Sequence, residues 1–202
     1  MAAVKRKEQL ARTRAALLDA AMMSLVENGY ARTTTQKIQE RTGVSRGALL
    51  HHFGSKAELL VASVHHIAEL RLESIRKVAM SASESPDPLR QVVNAIVDAQ
   101  SGPPFQAAME LWTAARTDPV LLAELEPAER RLGQALRALF DQHSTFDDPR
   151  QARVAFESLL AILRGVEVTR PMRRDGELNA RIIDFWFDAA ITWRRPATPT
   201  RP

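Results

Sequence analysis

The sequence predicts an all-α protein of about nine helices, and three observations carry that expectation. Apolar residues recur at spacings of three and four rather than two. Tyrosine occurs once, and no alternating apolar–polar run is sustained. The breaks between apolar stretches hold helix punctuation: Asn-Gly, Gly-Val-Ser, Gly-Ser and three Asp-Pro pairs. With 202 residues, 45% of them hydrophobic, the chain has enough for one large domain or two small ones. Cysteine is absent, which removes disulfides and thiolate metal sites and fits a reducing compartment. The net charge of +4 is unevenly placed: through Lys56 there are ten basic and four acidic residues, +6, leaving −2 for the remainder. A basic head on a mildly acidic body is the footprint of a polyanion-binding module; a merely solvated charged surface is the plainer alternative. No apolar run follows the basic start MAAVKRKEQLARTR, and no segment approaches the ~20 apolar residues of a membrane span. A cytoplasmic protein with no membrane partner is therefore expected.

The first helix is expected over about Glu8–Asn28, with Leu18, Ala21, Met22, Leu25 and Val26 on one face and Asn28-Gly29 as its stop. Tyr30 then packs back on the core. Thr33-x-x-Gln36 has capping-box spacing and opens a second helix with Ile38 inward, ended by Gly43. Ser45 caps a third helix, whose Leu49 and Phe53 point inward at i and i+4. Gly54 ends it. Ser55-x-x-Glu58 opens a fourth, about Lys56–Met80, in which Leu59, Leu60, Ser63, Val64, Ile67, Leu70 and Leu72 imply burial on more than one side. After the polar break SASESPD come helices over about Pro88–Gln100, Pro104–Arg116, Pro119–Gln142, Pro149–Arg170 and Glu177–Arg194. Asp87-Pro88, Asp118-Pro119 and Asp148-Pro149 share one device, an acidic N-cap before a first-turn proline, without matching flanks that would mark a repeat. Pro127 is a candidate kink. The tail PATPTRP, residues 196–202, is expected to be disordered.

Two short helices joined by a tight turn, with a basic and polar outer face, are the geometry that seats one helix in the DNA major groove. Here Gly29-Tyr30-x-x-Thr33-Thr34-x-x-x-Ile38, Gly43-Val44-Ser45-x-Gly47-x-Leu49 and His52-Phe53-x-x-Lys56-x-x-Leu59-Leu60 resemble the DNA-binding domain of TetR-family transcriptional regulators over roughly residues 10–60. The resemblance implies a three-helix helix-turn-helix domain over residues 1–56 and a helical ligand-binding and dimerisation domain over 57–195. It implies a homodimer on a palindromic operator of double-stranded DNA, usually a repressor, released by a small-molecule effector. Carried onto this chain, it makes Thr34, His52 and Lys56 phosphate contacts, with Ser45 at the turn, and leaves base reading to Arg46, Gly47, Ala48, Leu50 and His51. Arg46 suits a bidentate pair with guanine, and Ala48 a thymine methyl. Leu50 stands where the family usually has tyrosine, Gln39 where a small residue is usual, and Thr42 where alanine is common. With no phenolic hydroxyl at position 50, the reading face leans on Arg46 and His51.

Other readings compete at particular residues. Gly43-Val44-Ser45-Arg46-Gly47 fits the G-x-S-x-G of a hydrolase, but that motif needs a buried strand before it, and the residues preceding it here are polar and helical. A DNA binder of the nucleoid type, with no effector, is a further alternative. Adjacent histidines at 51–52 and 65–66 point to different faces of a helix and so chelate poorly; no metal and no cofactor are expected. Phe105, Met109 and Trp112 share a face that is either core or the wall of an apolar ligand pocket, with Phe156, Leu160 and Leu163 as candidates opposite and Arg116 or Arg164 for an anionic group. The last two helices, with Phe185, Trp186, Phe187 and Trp193, are apolar around much of their circumference. The resemblance places them in an intersubunit four-helix bundle.

Overall fold

The computed structural model describes residues 1–82, 85–144, 146–172 and 175–194; the expected disordered tail lies outside them. Among the described residues there are nine helices and no strand: α1 (Ala2–Arg32), α2 (Thr35–Thr42), α3 (Arg46–His52), α4 (Lys56–Ala82), α5 (Pro88–Ala99), α6 (Gly102–Ala115), α7 (Pro119–His143), α8 (Pro149–Thr169) and α9 (Gly176–Arg194). The helix order matches the expectation, and the boundaries move by a few residues. The chain packs as two compact units, one of Met1–Glu73 with Ser101–Gly133, the other of Ser74–Gln100 with the described residues from Gln134 on.

The first unit holds two apolar clusters. One joins Leu17, Leu18, Ala20 and Ala21 of α1 to Ile38 of α2, Leu49 of α3, Phe53 just after α3, and Leu59 of α4. The other joins Met22 and Leu25 of α1 to Val64, Ile67 and Ala68 of α4, Ala107, Ala108, Leu111 and Ala115 of α6, and Leu121, Leu125 and Ala128 of α7. α1 therefore serves both clusters with successive turns of one stripe. In the second unit Phe140 is fully buried, with its ring 5.5 Å from Phe156 and 6.5 Å from Trp186. The Trp186 indole N–H donates to Ser158 Oγ at 2.9 Å, so its polar edge is satisfied.

Four expectations need correction. α1 begins at Ala2, well before Glu8, and its helical assignment runs to Arg32 across a break at Gly29 (φ 73°, ψ 170°). The N-cap of α2 is Thr34, not Thr33: Thr34 accepts from the Lys37 N–H, while Thr33 is completely buried with its hydroxyl donating to the Gly29 carbonyl at 2.9 Å. α6 opens at Gly102 (φ 70°) rather than Pro104, because Pro103 and Pro104 need no N–H partner in a first turn. Leu70 is exposed on α4 rather than buried. The proline caps do form as expected: Asp87 accepts from the Arg90 N–H, Asp118 from Val120 and Leu121, and Asp148 from Arg150. α7 continues through Pro127.

Gly29 occupies backbone space that only glycine enters readily, and a Cβ there would lie 3.1 Å from Glu110 Oε2. Gly29→Ala is expected to cost about 1–3 kcal/mol, read as a lower midpoint in urea unfolding with an unchanged slope.

Candidate nucleic-acid interface

The site is built on the joint between α1 and α2. At the Gly29 break the backbone N–H of Tyr30 donates to Glu110 Oε2 on α6 at 3.2 Å, and the Tyr30 hydroxyl lies 3.3 Å from Asp118 Oδ2. Burial first, and then the neighbouring Asp118 carboxylate, raise the Tyr30 phenol above its ordinary value, so it stays a protonated donor. Thr33 closes the joint from inside, with the Ser24 hydroxyl donating to its Oγ1 at 3.3 Å. Thr34 is left exposed as the N-cap of α2. Two basic residues of α2 are turned back on α1: Lys37 hydrogen-bonds Asn28, and Arg41 pairs with Glu27.

The turn that follows is made from local chemistry. Gly43 takes the left-handed conformation (φ 68°), and its N–H reaches the Gln39 carbonyl at 2.8 Å. Thr42 donates to the Ile38 carbonyl and accepts from the Val44 N–H, a role alanine could not fill. Ser45 Oγ accepts from the Ala48 N–H at 3.2 Å and so caps α3. Leu49 is the one residue of α3 that is buried. With 100° per residue, the direction opposite Leu49 falls between Gly47 and His51, flanked by Leu50 and Ala48. Arg46, Gly47, Leu50 and His51 are exposed accordingly, Leu50 at 46%, and Ala48 is half-buried. No heavy atom comes within 4 Å of a Cβ built on Gly47, so nothing in the fold requires glycine there. His52 is half-buried, its ring 6.4 Å from Phe53 and 5.8 Å from His51.

α4 begins beside the end of α3. Ser55 Oγ accepts from the Glu58 N–H at 3.1 Å, and Glu58 Oε2 accepts from the Gly54 N–H at 2.9 Å, a capping box displaced by one residue. Lys56 is exposed at the first position of α4, where its charge adds to the positive end of the helix dipole. The arrangement presents an exposed two-turn helix between two helix starts, Thr34 and Lys56. That suits base edges in the middle and phosphates on either side. Ser45 lies on a turn between helices, with no strand before it, and its hydroxyl is occupied as a cap.

The candidate ligand residues divide between the two units. Phe105 is fully buried and meets Trp112 edge to face at 5.5 Å; Met109 is half-buried and Arg116 exposed. Phe156 and Leu160 are buried on α8, Phe156 against Phe140 and under the Arg137 guanidinium at 5.5 Å. The aromatic pair on α6 has a neighbour that sequence reasoning missed. Arg71 of α4, only 2% exposed, sits 5.2 Å from the Phe105 ring centre and 5.8 Å from that of Trp112, with Nη1 2.7 Å from Glu129 Oε1. Its only signal was a cation inside an apolar run. The histidine pair on α4 splits: His66 reaches Asp19 of α1 at 2.6 Å and His65 reaches Glu124 of α7 at 3.6 Å. Among the described residues no group of three or more His, Cys, Asp or Glu is placed to hold a metal ion.

Helix-turn-helix geometry with an exposed second helix defines a DNA-binding regulator, and comparison with known proteins specifies which. Residues 17–63 match the model of bacterial regulatory proteins of the tetR family. The chain is 31% identical over 157 residues to the HTH-type transcriptional regulator BetI of Paraburkholderia xenovorans, covering 76% of this chain and 78% of that one. To the BetI of Paraburkholderia phytofirmans it is 31% identical over 186 residues, covering 90% and 94%. Among solved structures it resembles a TetR-family regulator from Mesorhizobium loti (TM-score 0.74, 19% identity, 91% and 97% covered) and the multidrug binding protein EbrR in complex with ethidium (0.58, 22%, 86% and 97%). The chain belongs to the TetR family and is a DNA-binding transcriptional regulator, not an enzyme.

Because Gly47 is exposed and helical, Gly47→Ala should raise the thermal midpoint, by up to ~1 kcal/mol of helix propensity, while lowering DNA affinity. Arg46→Ala should relax base preference at one position per half-site, a loss of about 1–3 kcal/mol of discrimination. Lys56→Ala should weaken binding by one factor on every sequence and flatten the salt dependence by about one phosphate per subunit. Binding to a panel of single-base operator variants at several salt concentrations separates the two.

Proposed function

We propose that the protein binds a palindromic operator as a homodimer, represses transcription there, and leaves the DNA when a small molecule enters its helical body. Residues 1–56 form the DNA-binding head and 57–195 the effector-binding and dimerisation body. The observation that carries this is the outer face of α3. Arg46, Gly47, Leu50 and His51 are exposed on a two-turn helix, between the phosphate-directed Thr34 on one side and His52 with Lys56 on the other. Base reading falls to Arg46 and His51, with Gly47 allowing close backbone approach and Ala48 and Leu50 supplying apolar contacts.

The second copy is suggested by α8 and α9. Leu178, Phe185, Ala189 and Trp193 form an exposed stripe along α9, with Phe185 77% open to solvent. Val154, Ala161, Gly165 and Val168 form an exposed stripe of small and β-branched residues along α8. Apolar stripes of this kind on two neighbouring helices pair across a two-fold axis as a four-helix bundle. A dimeric reader of an inverted repeat needs its two recognition helices about one DNA turn apart, ~34–36 Å.

α6 supports the effector reading because it carries both ends of a possible relay. Phe105 and Trp112 face Arg71, while Glu110 holds the Tyr30 N–H at the joint that sets α2. A ligand that shifts α6 disturbs that joint and, with it, Thr34. Phe105, Met109 and Trp112 form one candidate wall, with Arg116, Phe156 and Leu160 the remaining candidates. EbrR, which shares the fold, accommodates the flat aromatic ethidium.

Phe185→Asp, at an exposed position of the single chain, should leave helicity intact, convert a dimer to a monomer in sedimentation, and remove preference for an inverted repeat over a single half-site. A wild-type monomer, or selection of sequences without two-fold symmetry, would refute the dimeric reading.

A further inference from the structure

The basic residues that make the head cationic are not all on the face just described. Lys5, Arg6, Lys7, Arg12 and Arg14 lie on the first part of α1, with Glu8 the one acid among residues 5–14. The segment 5–16 contains no buried side chain; the core stripe of α1 starts at Leu17. At ~1.5 Å per residue this is a helical extension of roughly 18 Å that contributes no buried residue to either apolar cluster. Lys5, Arg6, Lys7 and Arg12 form no ion pair among the described residues.

Stability alone does not account for this design. Helix α1 has no acidic residue in its first turn and no side-chain cap at its start. Lys5, Arg6 and Lys7 instead place positive charge near the positive end of the helix dipole, where cations are unfavourable. An isolated polar helix of this length is marginal in water. A polyanion relieves both the mutual repulsion and the dipole conflict. The root of the extension shows which polyanion: the Arg14 guanidinium lies 5.0 Å from the ring centre of Phe53, the residue that ends α3 between His52 and the start of α4 at Lys56. The cationic segment is thus continuous with the edge of the DNA-facing surface.

We propose that the start of α1, carrying Lys5, Arg6, Lys7, Arg12 and Arg14, is a second DNA contact, an arm that binds backbone phosphates flanking the half-site read by α3. It rests on the DNA-binding reading of α3 and adds a sequence-independent contact beyond it. The arm lengthens the footprint and contributes affinity without base preference.

The test compares the full-length wild type with the triple variant K5A/R6A/K7A and the charge-preserving K5R/R6K/K7R. Probes are a random-sequence 40-bp duplex and a duplex selected from a random pool by the wild type, each titrated at several salt concentrations. Every cation that neutralises a phosphate adds ~0.9 to the slope of log affinity against log salt, so removing three flattens it by up to about 2.7 per subunit. The alanine variant should bind both duplexes more weakly by the same factor, roughly tenfold or more at 0.1 M salt. It should protect a shorter footprint and keep the wild-type thermal midpoint, and the charge-preserving variant should match the wild type. An unchanged slope and footprint in the alanine variant, with normal salt-sensitive binding by the wild type, overturns the arm and leaves the α3 reading standing. A wild type with no salt-sensitive DNA binding overturns both.

Discussion

Helices of eight and seven residues are too short to hold their shape in water, so α2 and α3 depend on the apolar contacts that Ile38, Leu49 and Phe53 make with Leu17, Leu18, Ala21 and Leu59. Leu49 is the one buried residue that α3 contributes. Ala48 and His52 are half-buried, and the remaining residues of α3, Arg46, Gly47, Leu50 and His51, are exposed and so free to face a ligand. Local caps at Thr34 and Ser45 and the left-handed Gly43 fix the ends; the cluster fixes the orientation. The outer face is thus available because so little of α3 is used to hold it.

The same dependence extends through α1. Its later turns pack on α4, α6 and α7, and its last residues pass through Gly29 to a buried polar joint made by Ser24, Thr33, Tyr30 and Glu110. Ser24 and Thr33 are buried, so removing either leaves a buried partner unmet, while Tyr30 and Glu110 are half-buried. The orientation of the DNA-reading helices and the position of α6 are therefore not independent. The proposed effector response would act through this contact, because Glu110 on α6 holds the Tyr30 N–H at the joint.

Much of the head is legible in the sequence because its determinants are local. Gly43, Ser45, Leu49 and Phe53 are specified by caps and by i, i+4 spacing, and the structure places them as those rules require. Thr33 and Thr34 exchange roles by one position because both are good caps, and the choice is made by a distant constraint: Gly29 and Ser24 draw Thr33 inward. Arg71 escapes sequence reasoning because its partners come from α6 and α7, with Glu129 lying 58 positions away. Leu70 looks inward on a helical wheel, yet in a long helix the wheel shows only that a face is apolar, not what covers it. The helical extension before Glu8 has no apolar face to announce it, and its charges enter the sequence reading only as a sum.

The central claim is that α3, flanked by the starts of α2 and α4, is the surface that meets DNA. Hydrogen–deuterium exchange of the full chain, free and saturated with a duplex selected by the protein from a random pool, tests it most directly. The account predicts new protection in residues 33–35 and 45–57, joined by the start of α1 where the proposed arm binds, and little direct change along α8 and α9. Protection confined to α5–α9, with residues 45–57 exchanging as in the free protein, would contradict it.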